Sequence, residues 1–165
     1  MPPSDAALAT RARRLARQLQ RAGQRLATAE SCTGGLIAKT LTDLAGSSAW
    51  FECGWVTYSN RSKQAALGVG AGVLARHGAV SEQVARAMAR GALLAAGVEQ
   101  AVAVTGVAGP GGGSALKPIG TVWIAWARRR GGAVQVTARL HHFAGDRDAV
   151  RRRSAAAALD GLLGS

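Results

Sequence analysis

Residues 120–127, Gly-Thr-Val-Trp-Ile-Ala-Trp-Ala, make a nearly continuous apolar run of strand length. A strand apolar on both sides has to be covered on both sides, so a layer of structure is required over each face of its sheet. The rest of the chain supplies helices for that purpose. Leu8, Ala12, Leu15, Leu19 and Ala22 fall on one narrow face of a helix over residues 6–22, with Arg13, Arg14, Arg17 and Arg21 opposite and Gly23 at the stop. A helix is expected over residues 35–44, broken by Ala-Gly-Ser-Ser at 45–48, and Ser81 suits the N-cap of another through Ala96, closed by Gly97. Residues 25–29 and 101–105 read as short buried strands, and residues 50–58 are rich in aromatic and β-branched types.

Val134, Val136, Ala138 and Leu140 alternate with Gln135, Thr137, Arg139 and His141, which predicts a strand with one wet face near a sheet edge. Across Gly131-Gly132 it should pair antiparallel with residues 120–127. A last helix is expected from about Asp146, with acidic side chains in its first turn. Helices and strands alternate through two-thirds of the chain and a hairpin follows. The expected class is therefore α/β: a single three-layer α/β/α domain, residues 1–165, with a mixed sheet.

The chain's 165 residues suffice for one core, and 48% apolar with 18% charged residues lies in the globular range. No stretch approaches the roughly 18 apolar residues that span a bilayer, and no apolar segment follows Arg13-Arg14 to make an export signal, so no membrane partner is expected. Two cysteines, Cys32 and Cys53, outside any CxxC spacing point to a reduced, cytoplasmic compartment. The net charge of +12 admits nucleic-acid or anionic-ligand binding. By position, however, the arginines read as a solvated surface: one helix face, the run Arg128 to Arg130 before a turn, and Arg151 to Arg153 in the last helix. No aromatic residues interleave with them for base stacking, so specific nucleic-acid binding is not expected.

Three segments carry groups able to do chemistry, each after an expected strand end, where α/β sheets open their crevice. In Thr28-Ala29-Glu30-Ser31-Cys32-Thr33-Gly34-Gly35, a hydroxyl just ahead of a helix faces N–H groups and a positive dipole end, which suits Ser31 as a nucleophile. Capping by Ser31 or Thr33 is the commoner role at such a place, and Cys32 is a rival nucleophile or a packing residue. In Tyr58-Ser59-Asn60-Arg61-Ser62-Lys63, the lysine is a general base if burial or a cation such as Arg61 lowers its pKa, and otherwise an ordinary surface residue. Residues 105–113 are glycine-rich and read either as a nest of backbone N–H groups for an anion or as a flexible connection. They match neither a Walker A loop nor a dinucleotide fingerprint. His77, His141 and His142 have no metal-ligand spacing with Cys or carboxylates and read as surface or strand residues, so no metal is expected.

Taken in order, TAESCTGG at 28–35, AGSSAWFECGWVTYSNRSKQ at 45–64, HGAVSE at 77–82, TGVAGPGGG at 105–113, KPIGTVW at 117–123 and GDRDAVR at 145–151 resemble the CinA C-terminal domain family over nearly the whole chain. Ser114-Ala115-Leu116 depart from it, lacking an acidic side chain ahead of KPIGTVW. The resemblance implies hydrolysis of the carboxamide of nicotinamide mononucleotide to nicotinic acid mononucleotide and ammonia, without metal or cofactor. By carry-over it implies Ser31 as nucleophile and Lys63 as base, with Tyr58 relaying the proton or holding the lysine. Thr33, Gly34, Gly35, Asn60, Thr105, Gly106, Gly109 and Arg147 are implied on the substrate side, and the 31–35 turn is expected to meet the oxyanion. Arg147, an always-charged fork donor, suits a phosphate or a polarised carbonyl. A stand-alone form lacking the N-terminal domain of many relatives, assembled as a homodimer, is expected; the rival reading is a non-catalytic competence- or damage-associated binding domain.

Overall fold

The computed structural model describes residues 1–164. Five strands form one sheet in the order β2-β1-β3-β4-β5, where β1 is Leu26–Glu30, β2 Phe51–Val56, β3 Gln100–Gly106, β4 Thr121–Arg130 and β5 Ala133–His142. β1 runs parallel to both β2 and β3, while β4 is antiparallel to β3 and to β5, so the sheet is mixed as expected. Helices α1 (Asp5–Ala22), α2 (Leu36–Thr42) and α6 (Arg147–Leu163) cover one face; α3 (Asn60–Leu67), α4 (Ala71–His77) and α5 (Glu82–Ala96) cover the other.

Alternation along the strands divides the core in two. Leu26, Val102, Val104, Val122, Ile124 and Trp126 point to the α1, α2 and α6 side. Ala27, Ala29, Ala101, Ala103, Ala125 and Ala127 point to the other, and this small-residue face lets α5 lie close against β1, β3 and β4. The run that demanded two layers, now β4, has them.

The wet-faced strand is the edge strand β5. Gly131 and Gly132, with φ of +54° and +84°, make the two-residue turn that joins it to β4, and both strands reach that turn rather than stopping short of it. Ala22, expected on the apolar face of α1, is exposed at the helix end, and Ala16 is buried instead. The seven-residue α4 carries too little periodicity to be read from sequence. Among the described residues no helix is long and apolar enough to cross a membrane.

Candidate active site

The chain leaves β1, the middle one of three parallel strands, for β2 on one side and returns past it to β3 on the other. The carboxyl ends of these three parallel strands therefore open a crevice at the reversal. Ser31 follows β1 directly, its N–H bonded to the Val104 carbonyl of β3, while Thr57 follows β2 with its N–H on the Glu30 carbonyl. A cavity of about 310 Å³ lies there, lined by Ser31, Tyr58, Lys63, Thr105, Gly109 and Arg147 among others, near the small end of ligand sites.

Lys63 reaches the crevice because the Ser59–Ser62 capping box starts α3 just after β2 and turns position 63 inward. Its side chain is 1% exposed. Nζ lies 3.1 Å from Ser31 Oγ and donates to the Thr57 carbonyl at 2.9 Å. Among the described residues no carboxylate pairs with it, and burial lowers its pKa below the ordinary lysine value. Lys63 is thus no surface residue. Nor is Arg61 the cause of its shift: that side chain is exposed, and desolvation does the work. When the amine is neutral, the Thr57 carbonyl takes an N–H and leaves the nitrogen lone pair free to accept from Ser31.

The nucleophile turn departs from expectation. Gly34 N–H donates to the Ser31 carbonyl and Leu36 N–H to the Thr33 carbonyl. Gly35, Ile37 and Ala38 N–H all donate to the buried Glu30 carboxylate. The start of α2 is therefore already occupied by an anion and is not an open oxyanion site. Of the amides in the turn, only those of Cys32 and Thr33 make no hydrogen bond to another described residue. Thr33, Gly34 and Gly35 do not line the cavity; the Thr33 carbonyl instead accepts both Nη2 (2.8 Å) and Nε (3.3 Å) of Arg151 from α6. Gly34 and Gly35 take positive φ, +60° and +94°, which shapes the turn. Cys32 is packed in the core with its thiol pushed up to about 12 by burial, so it is neutral in ordinary buffers.

Tyr58 stands 59% exposed at the cavity mouth, and its hydroxyl accepts from Arg147 Nη2 at 2.7 Å; Lys63 is held by the Thr57 carbonyl instead. Arg147, the first residue of α6, also donates from Nη1 to the Gly109 carbonyl at 2.7 Å. It ties the glycine-rich loop, the tyrosine and the last helix together. Thr105 is buried and donates to the Ala79 carbonyl at 2.8 Å, which brings residues 79–80 to the wall, while Asn60 and Gly106 line the cavity directly. Sequence reading missed Thr57, Glu30 and Arg151. The first acts through its backbone, and the other two through contacts that spacing does not encode.

A larger groove, about 590 Å³, runs between α6 and the uncovered face of β5, and among the described residues its lining has no serine, cysteine or lysine. The described residues bring no three His, Cys, Asp or Glu side chains together. His141 stacks on Phe143, and the His77 carbonyl accepts from Lys117 Nζ.

The family model described as the CinA C-terminal domain matches residues 8–165. A protein named nicotinamide-nucleotide amidohydrolase PncC from Pseudomonas putida is 53% identical over 94% of this chain and 95% of its own, and its namesake from Escherichia coli K12 is 52% identical over 96% and 94%. The crystal structure of the competence/damage inducible protein CihA from Agrobacterium tumefaciens superposes with a TM-score of 0.92 at 44% identity, covering 99% of this chain and 97% of that one. On the family model, on relatives of such identity and coverage and on a shared fold, this chain belongs to the CinA C-terminal domain family.

Proposed function

We propose that the chain is a nicotinamide-nucleotide amidohydrolase, splitting the carboxamide of nicotinamide mononucleotide with Ser31 as nucleophile and Lys63 as its base. The observation that carries the reading is a buried lysine that pairs with no carboxylate among the described residues, its amine 3.1 Å from a serine hydroxyl at the end of β1. The names of the relatives supply the substrate class.

Neutral Lys63 takes the Ser31 proton as Oγ attacks the amide carbon. The oxyanion that forms is met by the N–H of Cys32, the turn residue beside Ser31 that lines the cavity. Lys63 then hands its proton to the departing nitrogen, and ammonia leaves an acyl-enzyme on Ser31. Water, deprotonated by the same amine, attacks the acyl carbon, and collapse returns the proton to Ser31 and frees nicotinic acid mononucleotide. The dyad lies deep and Arg147 lies at the mouth, so the carboxamide enters first and the arginine meets the phosphate, with Tyr58 orienting its fork.

In the test, purified protein is incubated with nicotinamide mononucleotide and with its riboside, and ammonia is assayed with and without EDTA. Turnover of the mononucleotide unaffected by EDTA is expected, with the riboside poorer; activity lost to EDTA and restored by a divalent ion contradicts the reading. Arg147→Ala should raise KM about tenfold or more and erase most of the preference for the phosphorylated substrate. Equal loss on both substrates would place Arg147 elsewhere in the mechanism. The free thiols of Cys32 and Cys53 fit a cytoplasmic location. A homodimer, to be read by light scattering, completes the proposal.

A further inference from the structure

Glu30, the last residue of β1, is 1% exposed, and among the described residues it has no cationic partner. A buried carboxylate in that position is costly unless its lone pairs are satisfied. Oε2 accepts from Gly35 N–H (3.1 Å) and Ile37 N–H (3.1 Å), and Oε1 from Ala38 N–H at 2.8 Å. Together with the Leu36–Thr33 bond, this satisfies the amides that the start of α2 would otherwise leave orphaned.

The connection has a topological consequence. The side chain leaves the backbone one residue before Ser31 and returns to it at residues 35, 37 and 38, closing a ring around the nucleophile turn. Arg151 braces the opposite side through the Thr33 carbonyl. Among the described residues, Ser31 otherwise has only its own N–H on Val104 and its carbonyl on Gly34 to fix its backbone.

We infer that Glu30 is a positioning residue for catalysis: by lashing the start of α2 to the end of β1, it holds Ser31 Oγ on Lys63. The inference rests on the reading of Ser31 as nucleophile. Glu30 does not line the cavity and makes no hydrogen bond to Lys63 among the described residues, and its charge is spent on the α2 amides. It acts by geometry, and it keeps a substrate anion from competing for the start of that helix.

The test is Glu30→Gln, which keeps size and one acceptor but turns an NH2 group towards an N–H donor whichever way it faces, since both carboxylate oxygens accept. Below its melting temperature the variant should lose tenfold to a hundredfold in kcat, with KM within about threefold, because a misplaced nucleophile slows chemistry rather than binding. Modification of Ser31 by a sulfonyl fluoride should slow by a similar factor. The pH midpoint of that modification, which Lys63 sets, should stay where it is in the wild type. Glu30→Asp, too short to reach all three amides, should fall at least as far, and it carries the test if the Gln variant does not fold. Either variant folded with kcat within twofold of wild type overturns the inference, as does a fall accompanied by a displaced midpoint, which would mean an electrostatic role through Lys63. Ser31→Ala in the same assay separates the two claims. If it stays active the nucleophile reading fails, and if it is dead while Glu30→Gln is not, only the positioning role fails.

Discussion

At the residue scale the account turns on one lysine. Burial lowers the pKa of Lys63 below its ordinary 10.5, so the rate should rise with pH through that lowered value, as a base active in its neutral form requires. Stability should follow the same group. Between the lowered pKa and 10.5 the unfolded chain holds a proton that the folded chain does not, so stability rises with pH across that window and is flat with respect to this group below it. Lys63→Met should therefore cost at least about a hundredfold in rate while leaving the melting temperature unchanged or higher near neutral pH, because the desolvated amine is removed and an apolar thioether fills most of its path. A steep loss of melting temperature would show that the Thr57 contact matters more than the desolvation. Cys32→Ala should keep activity within about threefold, since a thiol with a pKa of about 12 supplies no thiolate; its loss would revive the cysteine as nucleophile. Ser31 and Lys63 were both visible in the sequence through their motifs. The burial of Lys63 was not, because position 63 in a two-turn helix turns inward only once the capping box and the end of β2 are in place.

At the scale of elements, the strand character of residues 120–127 and 134–140, the caps at Gly23, Ser81 and Gly97 and the start of the last helix near Asp146 were legible, since each has a local cause in pattern or cap chemistry. The contacts between elements were not, and one of them governs the site. Gly91, in mid-α5, lies so close to α3 that an added Cβ would overlap the Leu67 carbonyl oxygen, one turn beyond Lys63. Gly91→Ala should thus destabilise the fold by about 1–3 kcal/mol, the range for overpacking, and push α3 outward. Because Lys63 rides on α3, kcat should fall even where the variant is fully folded. Urea unfolding together with kcat measured well below the transition checks both halves, and a Gly91→Ala variant of normal rate and stability would show that α3 yields at no cost. That the amides of Gly35 and the first turn of α2 are taken was hidden for a similar reason: Glu30 looks in sequence like any strand-end carboxylate, and only the fold brings it back onto α2.

At the scale of the whole molecule, the three layers place every reacting group at one end of the sheet. The basic excess lies largely away from it, with Arg13, Arg14, Arg17 and Arg21 exposed on α1 and Arg129 and Arg130 exposed at the β4–β5 turn. Such a surface should bind duplex DNA weakly, without sequence preference, and lose it steeply as salt approaches about 0.15 M, as counterion release dictates. Filter binding at two salt concentrations checks this, and affinity that survives would give the charge a role of its own. The central claim is that an uncharged lysine activates Ser31 to cleave the amide of a nicotinamide nucleotide. Its most direct test is ammonia release from nicotinamide mononucleotide by wild type and Ser31→Ala at matched folded concentration, with mass measurement of the wild-type protein during turnover. Loss of at least about a thousandfold in the variant, with a transient mass increase on the wild-type peptide containing Ser31, is the predicted result; a variant that keeps more than about a tenth of the rate, roughly 1.4 kcal/mol of barrier, would contradict it.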